Sequence, residues 1–183
     1  MSIGIDYSMT CPAVCYYTPD LAQFWYSQGH ETRIGLPIPN LAACYLTPKD
    51  TVSERAAFLA TYCVHWIKQF DPIRVWIEDY AFAATGRVFH IGENTGILKH
   101  FLDNESIAYT PVPPTVVKKF ATGKGNADKH KMTDAFLRDY PPAVAWIRQF
   151  FPRYKDGQIL AKSPLSDLAD AYWIAKYAYT QER

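Results

Sequence analysis

Near its start the chain reads Ile3-Gly4-Ile5-Asp6-Tyr7-Ser8, a short apolar run that stops abruptly at a carboxylate. Isoleucine favours extended backbone, and a glycine between two of them lets a neighbouring backbone come close. The pattern predicts a buried strand that delivers one acid to the edge of a sheet. An ionised aspartate is too costly to bury alone, so Asp6 needs a cation, a basic side chain or water beside it. The local alternative is that Asp6 caps the following turn together with Ser8 and Thr10. This stretch by itself supports both readings equally.

With 183 residues, 49% of them hydrophobic and 20% charged, the chain has the material for one domain, residues 1–183, with a sizeable core. Lys plus Arg number 19 against 18 Asp plus Glu, so at a net charge of +1 any nucleic-acid footprint must come from local clustering. Cys11, Cys15, Cys44 and Cys63 form no Cys-x-x-Cys pair and have no His partner at zinc-site spacing, which points to reduced thiols rather than zinc. No apolar run approaches the ~18 residues that span a bilayer, and no basic leader follows Met1. The expectation is a cytoplasmic protein without a membrane partner.

Along the chain, residues 13–17 and 24–26 read as strands around the Thr18-Pro19-Asp20 turn, making an antiparallel meander with the first. Residues 31–40 are loop-like and 41–46 extended. Thr51-x-x-Glu54 is a capping box, and Val52, Ala56, Leu59, Cys63, Trp66, Ile67 and Phe70 recur at helical spacing until Asp71-Pro72 stops them. Residues 73–77 form a second apolar strand ending in acid, Glu78-Asp79. The intervening helix makes this strand parallel to the first. A glycine-containing turn at 83–87 precedes a helix over 90–102. A strand over 107–112 runs into Pro113-Pro114, a helical turn over 115–120 and the loop 122–126. Residues 129–140 are helical, 141–157 read as an aromatic-rich connection, and Ser163-Pro164 opens the last helix as cap and first-turn proline.

That helix carries Asp167 and Asp170, three apart on one face. A solvated acidic helix start is the plain reading of the pair alone. Together with Asp6 and Glu78, however, two central strands and one packed helix can gather four carboxylates. Hard oxygen donors without His or Cys point to magnesium, and a two-ion site about 3.5–4 Å across needs that many acids, one of them bridging. Lys118, Lys119, Lys124, Lys129 and Lys131 stand against the single acid Asp128, so this segment is +4 in a chain of +1. A lysine run is ordinarily a solvated face; near four carboxylates it suits DNA phosphates. Gly123-Lys124-Gly125 lacks the full phosphate-loop pattern, so no nucleotide cofactor is expected.

Gly4-Ile5-Asp6, then Ile77-Glu78, then Asp167-Leu168-Ala169-Asp170-Ala171 in an alanine-rich last helix, resembles the RuvC family of Holliday junction resolvases, within the RNase H-like superfamily, in order and spacing over nearly the whole chain. The stretch 91–96 is similar to the family's glycine-containing interface helix, and 125–129 to its basic loop. The resemblance implies an α/β, RNase H-like fold: a mixed five-stranded sheet, three antiparallel N-terminal strands plus two parallel strands, flanked by helices. It also implies metal ligands at Asp6, Glu78, Asp167 and Asp170, holding two Mg²⁺ per site with Mn²⁺ as a substitute. Lys118 and Lys129 fall where the family has lysines at the scissile phosphate, Lys129 being the catalytic one. The substrate is then branched DNA, four-way junctions, cut by symmetric paired nicks in a homodimer.

Departures from the family pattern are Tyr7-Ser8 where it has Pro-Gly, and Ala81 where it has a stacking aromatic, a role that adjacent Phe82 could take up in DNA binding. The segment 141–157 is longer than usual. Such divergence is what a bacteriophage member, working in a host cytoplasm, would show. The alternative is an RNase H-like nuclease acting on RNA or on other branched DNA. An actin-like kinase would need two such domains, and a non-catalytic junction scaffold would leave four acids without a purpose.

Overall fold

Strand β1 (Ser2–Asp6) is buried at every position, as its isoleucines and glycine require, and the sheet grows outward from it on both sides. The computed structural model describes residues 1–28, 39–45, 51–72, 74–79, 88–151 and 161–182. On one side β2 (Ala13–Thr18) pairs antiparallel with β1, and β3 (Leu21–Gln28) antiparallel with β2. On the other side β5 (Arg74–Glu78) runs parallel to β1, and β6 (Ala108–Val112) parallel to β5.

Among the described residues the sheet has six strands rather than the expected five, in the order β4-β3-β2-β1-β5-β6. The additional strand, β4 (Leu41–Tyr45), runs parallel to β3 at the edge. Leu-Ala-Ala-Cys-Tyr has neither β-branched residues nor two-residue alternation, so its own sequence carries little strand signal. Pairing supplies what propensity lacks: Asn40 turns through a positive φ of 62°, and its carbonyl accepts from Phe24 N at 2.7 Å.

The crossover from the N-terminal meander to β5 is helix α1 (Val52–Lys68), with both halves of the Thr51/Glu54 capping box formed. Leu59, Ala60, Cys63, Val64 and Ile67 pack against Ile3, Ile5, Val14, Val75 and Ile77 to make the core on one face of the sheet. Val52, expected on the buried stripe, is 57% exposed. Helix α2 (Val88–Asn104) lies against α1 and contributes Leu98 and Leu102 to that core.

The other face is covered by α6 (Leu165–Gln181), which lies chiefly over β1 and β2, with α3 (Pro114–Thr122) and α4 (Lys129–Asp139) beside it. Gly4 makes this approach possible: a Cβ there would fall 2.2 Å from Ala175 N and 2.5 Å from Ala171 O. The last helix begins at Leu165. Pro164 occupies the N-cap and no side-chain cap bond is made, so the expected serine cap is corrected.

The region 141–157, read as a connection, is helical over its described first part. A 3₁₀ turn at Pro141–Ala143 leads into α5 (Val144–Phe150). Pro141-Pro142 looks like a breaker in sequence, yet prolines are tolerated in a first helical turn. Trp146, Ile147 and Phe150 are buried there, and the Trp146 ring meets Phe24 at 5.1 Å. Among the described residues no helix is long and apolar enough to cross a membrane.

Candidate active site

Alternation along β1 sends Ser2, Gly4 and Asp6 toward α6 and Ile3 and Ile5 toward α1. Ser2 Oγ accordingly donates to Ala175 O at 2.7 Å, while both isoleucines lie in the α1 core. The β1/β5 register pairs Gly4 with Trp76 and Ile5 with Ile77. One step further, Asp6 and Glu78 are therefore neighbours on the α6 side, each at the end of its strand. Asp6 is buried and Glu78 half-buried.

Helix α6 brings the other two acids over this edge from its first turns, Asp167 buried and Asp170 half-buried. Helix α4 supplies the cation. Its N-cap, Asp128, accepts from Lys131 N at 2.9 Å, and the helix starts at Lys129, whose Nζ lies 3.7 Å from Asp167 Oδ1. The turn after β1 is held by Ser8, whose hydroxyl accepts from Cys11 N at 2.9 Å.

The charges act on one another. Burial, then Glu78, Asp170 and Asp167, hold the Asp6 carboxyl well above the usual carboxylate range, with Lys129 opposing. Burial raises Glu78 too, against Lys118 and Lys129, and burial with Glu78 raises Asp170 to about 7. Burial pulls the Lys129 ammonium down, but Asp167, Asp170, Asp6 and Glu78 together more than offset this and raise it. Four carboxylates and two lysines thus form one electrostatic unit.

Whether these residues suit divalent cations can be judged from their donors. All four acids offer hard oxygens, and Asp167 Oδ2 is buried with no hydrogen-bond partner among the described residues, an arrangement that a cation would satisfy. Among the described residues, no three His, Cys, Asp or Glu side chains are already drawn together into a metal cage. The donor set fits the ion's chemistry without being closed around it.

The basic stretch divides by position. Lys118 and Lys129 act on the carboxylates, Lys131 pairs with Asp128 at 3.3 Å, and Lys119 and Lys124 are exposed. Gly123, with a positive φ of 79°, is the C-cap of α3, its N–H donating to Lys119 O. Phe82 lies outside the described residues. On α2, a Cβ at Gly92 or Gly96 would meet no atom of the described residues within 4 Å. Ile91 is exposed beside them, whereas Leu98 belongs to the core.

One residue at this edge escaped the sequence reading. Cys11 is buried there, and burial followed by the Asp167 charge pushes its thiol up. A lone cysteine between Thr10 and Pro12 carries no signal of this in sequence; only its place two residues before Ala13, which pairs with Asp6, does.

No protein-family model matches the sequence, and no curated protein does. Solved structures do resemble the fold. The Thermus thermophilus RuvC structure superposes with a TM-score of 0.57 at 16% identity, covering 98% of this chain and 96% of the other. The same organism's RuvC in complex with Holliday junction substrate gives 0.60 at 17%, covering 99% and 97%. The yeast mitochondrial Holliday junction resolvase gives 0.53 at 13%, covering 94% and 75%. At such identities the likeness is one of fold, and this chain has the fold of RuvC-type resolvases.

Proposed function

We propose that the chain, acting as a single domain over residues 1–183, is a metal-dependent, structure-selective DNA endonuclease that resolves four-way junctions by symmetric paired nicks. The observation that carries this reading is the meeting of Asp6 and Glu78, on adjacent parallel strands, with Asp167 and Asp170 on the helix packed across them and two lysines beside them. The preference for junctions rests on the structures it resembles, one of them bound to Holliday junction substrate.

Asp6, Glu78, Asp167 and Asp170 would hold two Mg²⁺ ions, or Mn²⁺ in their place. When bound, such ions supply an activated water and charge stabilisation at the leaving oxygen. The protein's own groups do the rest. The Lys129 ammonium, 59% exposed and anchored toward Asp167, faces incoming phosphate and offsets the negative charge that grows on it. Lys118 holds down the charge cost of Glu78. Exposed Lys119, Lys124 and Lys131 neutralise phosphates of the arms, and Phe82 is the candidate for stacking at the junction centre. One site per chain requires two chains for paired cuts, and the Gly92/Gly96 face of α2, with exposed Ile91 beside it, is the proposed two-fold contact. The setting would be the cytoplasm, of a host if the source is viral.

Incubation with a fixed four-way junction and Mg²⁺ tests the proposal. Wild type should give two opposed nicks, while Asp6→Asn should cut at least ~10²-fold more slowly and still bind the junction. Parallel RNA–DNA hybrids, flaps and forks separate the alternatives: preferential cutting of any of them replaces the junction reading. Cleavage by Asp6→Asn near the wild-type rate would overturn the acidic site itself.

A further inference from the structure

The α6 side of β5 and β6 carries a stripe that the proposed cleavage chemistry does not use. Trp76, two residues before Glu78 on the same strand face, is half-buried, and its ring meets Tyr177 at 5.9 Å. Tyr177 meets Phe120 at 5.5 Å, and Phe120 is 38% exposed at the end of α3, directly after Lys118 and Lys119. The indole is fixed by its Nε1 donating to Glu182 Oε1 at 2.8 Å. At the far end exposed Arg74 donates from Nη1 to Thr110 Oγ1 at 3.3 Å, which holds its guanidinium along the sheet. An open cavity of about 510 Å³ lies there, lined by Met1, Arg74, Trp76, Gln181 and Glu182. From Glu78 to Arg74 the stripe follows four strand residues, about 13 Å.

Half-exposed rings flanked by cations at both ends suit a ligand with flat apolar faces and a regularly spaced negative charge. Paired bases in a duplex arm hide those faces against one another; an unpaired strand offers them. Glu182 is the acid in this lining, and the indole N–H engages one of its oxygens, which moderates its repulsion of phosphate. We propose that this stripe binds an unpaired nucleic-acid strand running away from the acidic edge, with bases against Phe120, Tyr177 and Trp76 and phosphates toward Arg74 and Lys119. The inference rests on the reading of the chain as a nuclease.

The test is fluorescence anisotropy of a labelled oligothymidylate, in EDTA so that nothing is cut, with a fully paired four-way junction as control. The double variant Phe120→Ala/Arg74→Gln should bind the oligonucleotide at least ~10-fold more weakly and the paired junction within about two-fold of wild type. Phe120→Tyr should restore stacking. If the alanine variant does not fold, Arg74→Gln alone, at an exposed position, should still weaken oligonucleotide binding by ~3-fold or more and flatten its salt dependence. Equal oligonucleotide affinity in wild type and variants overturns the inference, as does a change in solution mass, which would make the stripe a contact between copies. Junction nicking keeps the two readings apart. A wild type that binds the oligonucleotide through the stripe yet nicks no junction retains the stripe and loses the resolvase, and nicking with an unaltered oligonucleotide affinity in the variants does the reverse.

Discussion

Replacing Asp170 by asparagine removes one negative charge from the acidic edge while keeping the side chain's shape. Burial first, then Glu78, with Lys129 and Lys118 opposing and Asp167 adding, raises this carboxyl from 3.8 to about 7. A carboxyl with a higher pKa folded than unfolded keeps its proton longer in the native state, so folding takes up a proton between the two values. Its contribution to stability is therefore fully present below about pH 4, falls as pH rises toward 7, and is lost above it. At 1.36 kcal/mol per pH unit the ceiling is about 4 kcal/mol, and proton sharing with Asp6 and Glu78 brings the expected loss to roughly 1–3 kcal/mol. At pH 8 in EDTA the variant should melt roughly 2–12 °C above wild type, given about 2–4 °C per kcal/mol for a chain of this size. At pH 4 the two curves should coincide. Mg²⁺ should invert the order at pH 8, since wild type gains about 4.1 kcal/mol at a thousandfold excess over Kd and the variant gains little. Circular-dichroism melts at pH 4, 6 and 8, with and without Mg²⁺, read all of this. A variant that melts below wild type at pH 8 in EDTA would refute the electrostatic account.

The lysines should separate by role: Lys129→Ala slows junction cleavage by roughly 10²-fold, whereas Lys124→Ala weakens binding and lowers its salt slope by about one. Turnover unchanged in both would reduce the basic loop to a generic phosphate patch. Gly96→Leu, at a position where a Cβ meets nothing among the described residues, should give a folded protein that light scattering finds monomeric and that makes no paired nicks, against about twice 20.9 kDa for wild type. A wild type that stays monomeric on junction DNA would favour a single-strand nuclease instead. Gly4→Ala should be the most damaging single methyl, because the groups it meets are the backbone of α6. Soluble, cooperatively melting Gly4→Ala with wild-type stability would show that α6 lies elsewhere.

The carboxylate edge was legible because its determinants are local and periodic. An apolar strand ending in acid occurs twice, a capped helix makes the second strand parallel to the first, and two-residue alternation then dictates which face each acid takes. Asp167 and Asp170 follow from a three-residue spacing on a helix. What escaped depends on partners far away in sequence. Residues 41–45, read as extended but not counted among the five strands, are β4 because β3 offers them a ladder, α5 is a helix because Trp146 and Phe150 have an aromatic core to enter, and Val52 is exposed while the α1 residues in the sheet-side core begin at Leu59. Cys11 lacks any local mark of its position beside Asp167.

Gly4 joins these two kinds of information. In sequence it is one small residue in an apolar run, and what it permits is close approach of some backbone. In the fold that backbone is Ala171–Ala175 of α6, so the missing side chain sets how deeply the helix seats on β1. Asp170 directly precedes Ala171 and Asp167 lies about one turn upstream of it on the same helix, and Asp6 is two residues downstream of Gly4 on the same strand. The seating at Gly4 therefore sets the spacing between the acids delivered by the sheet and those delivered by the helix. A methyl group there would widen that spacing without touching a carboxylate, and cleavage would be lost through geometry rather than through chemistry.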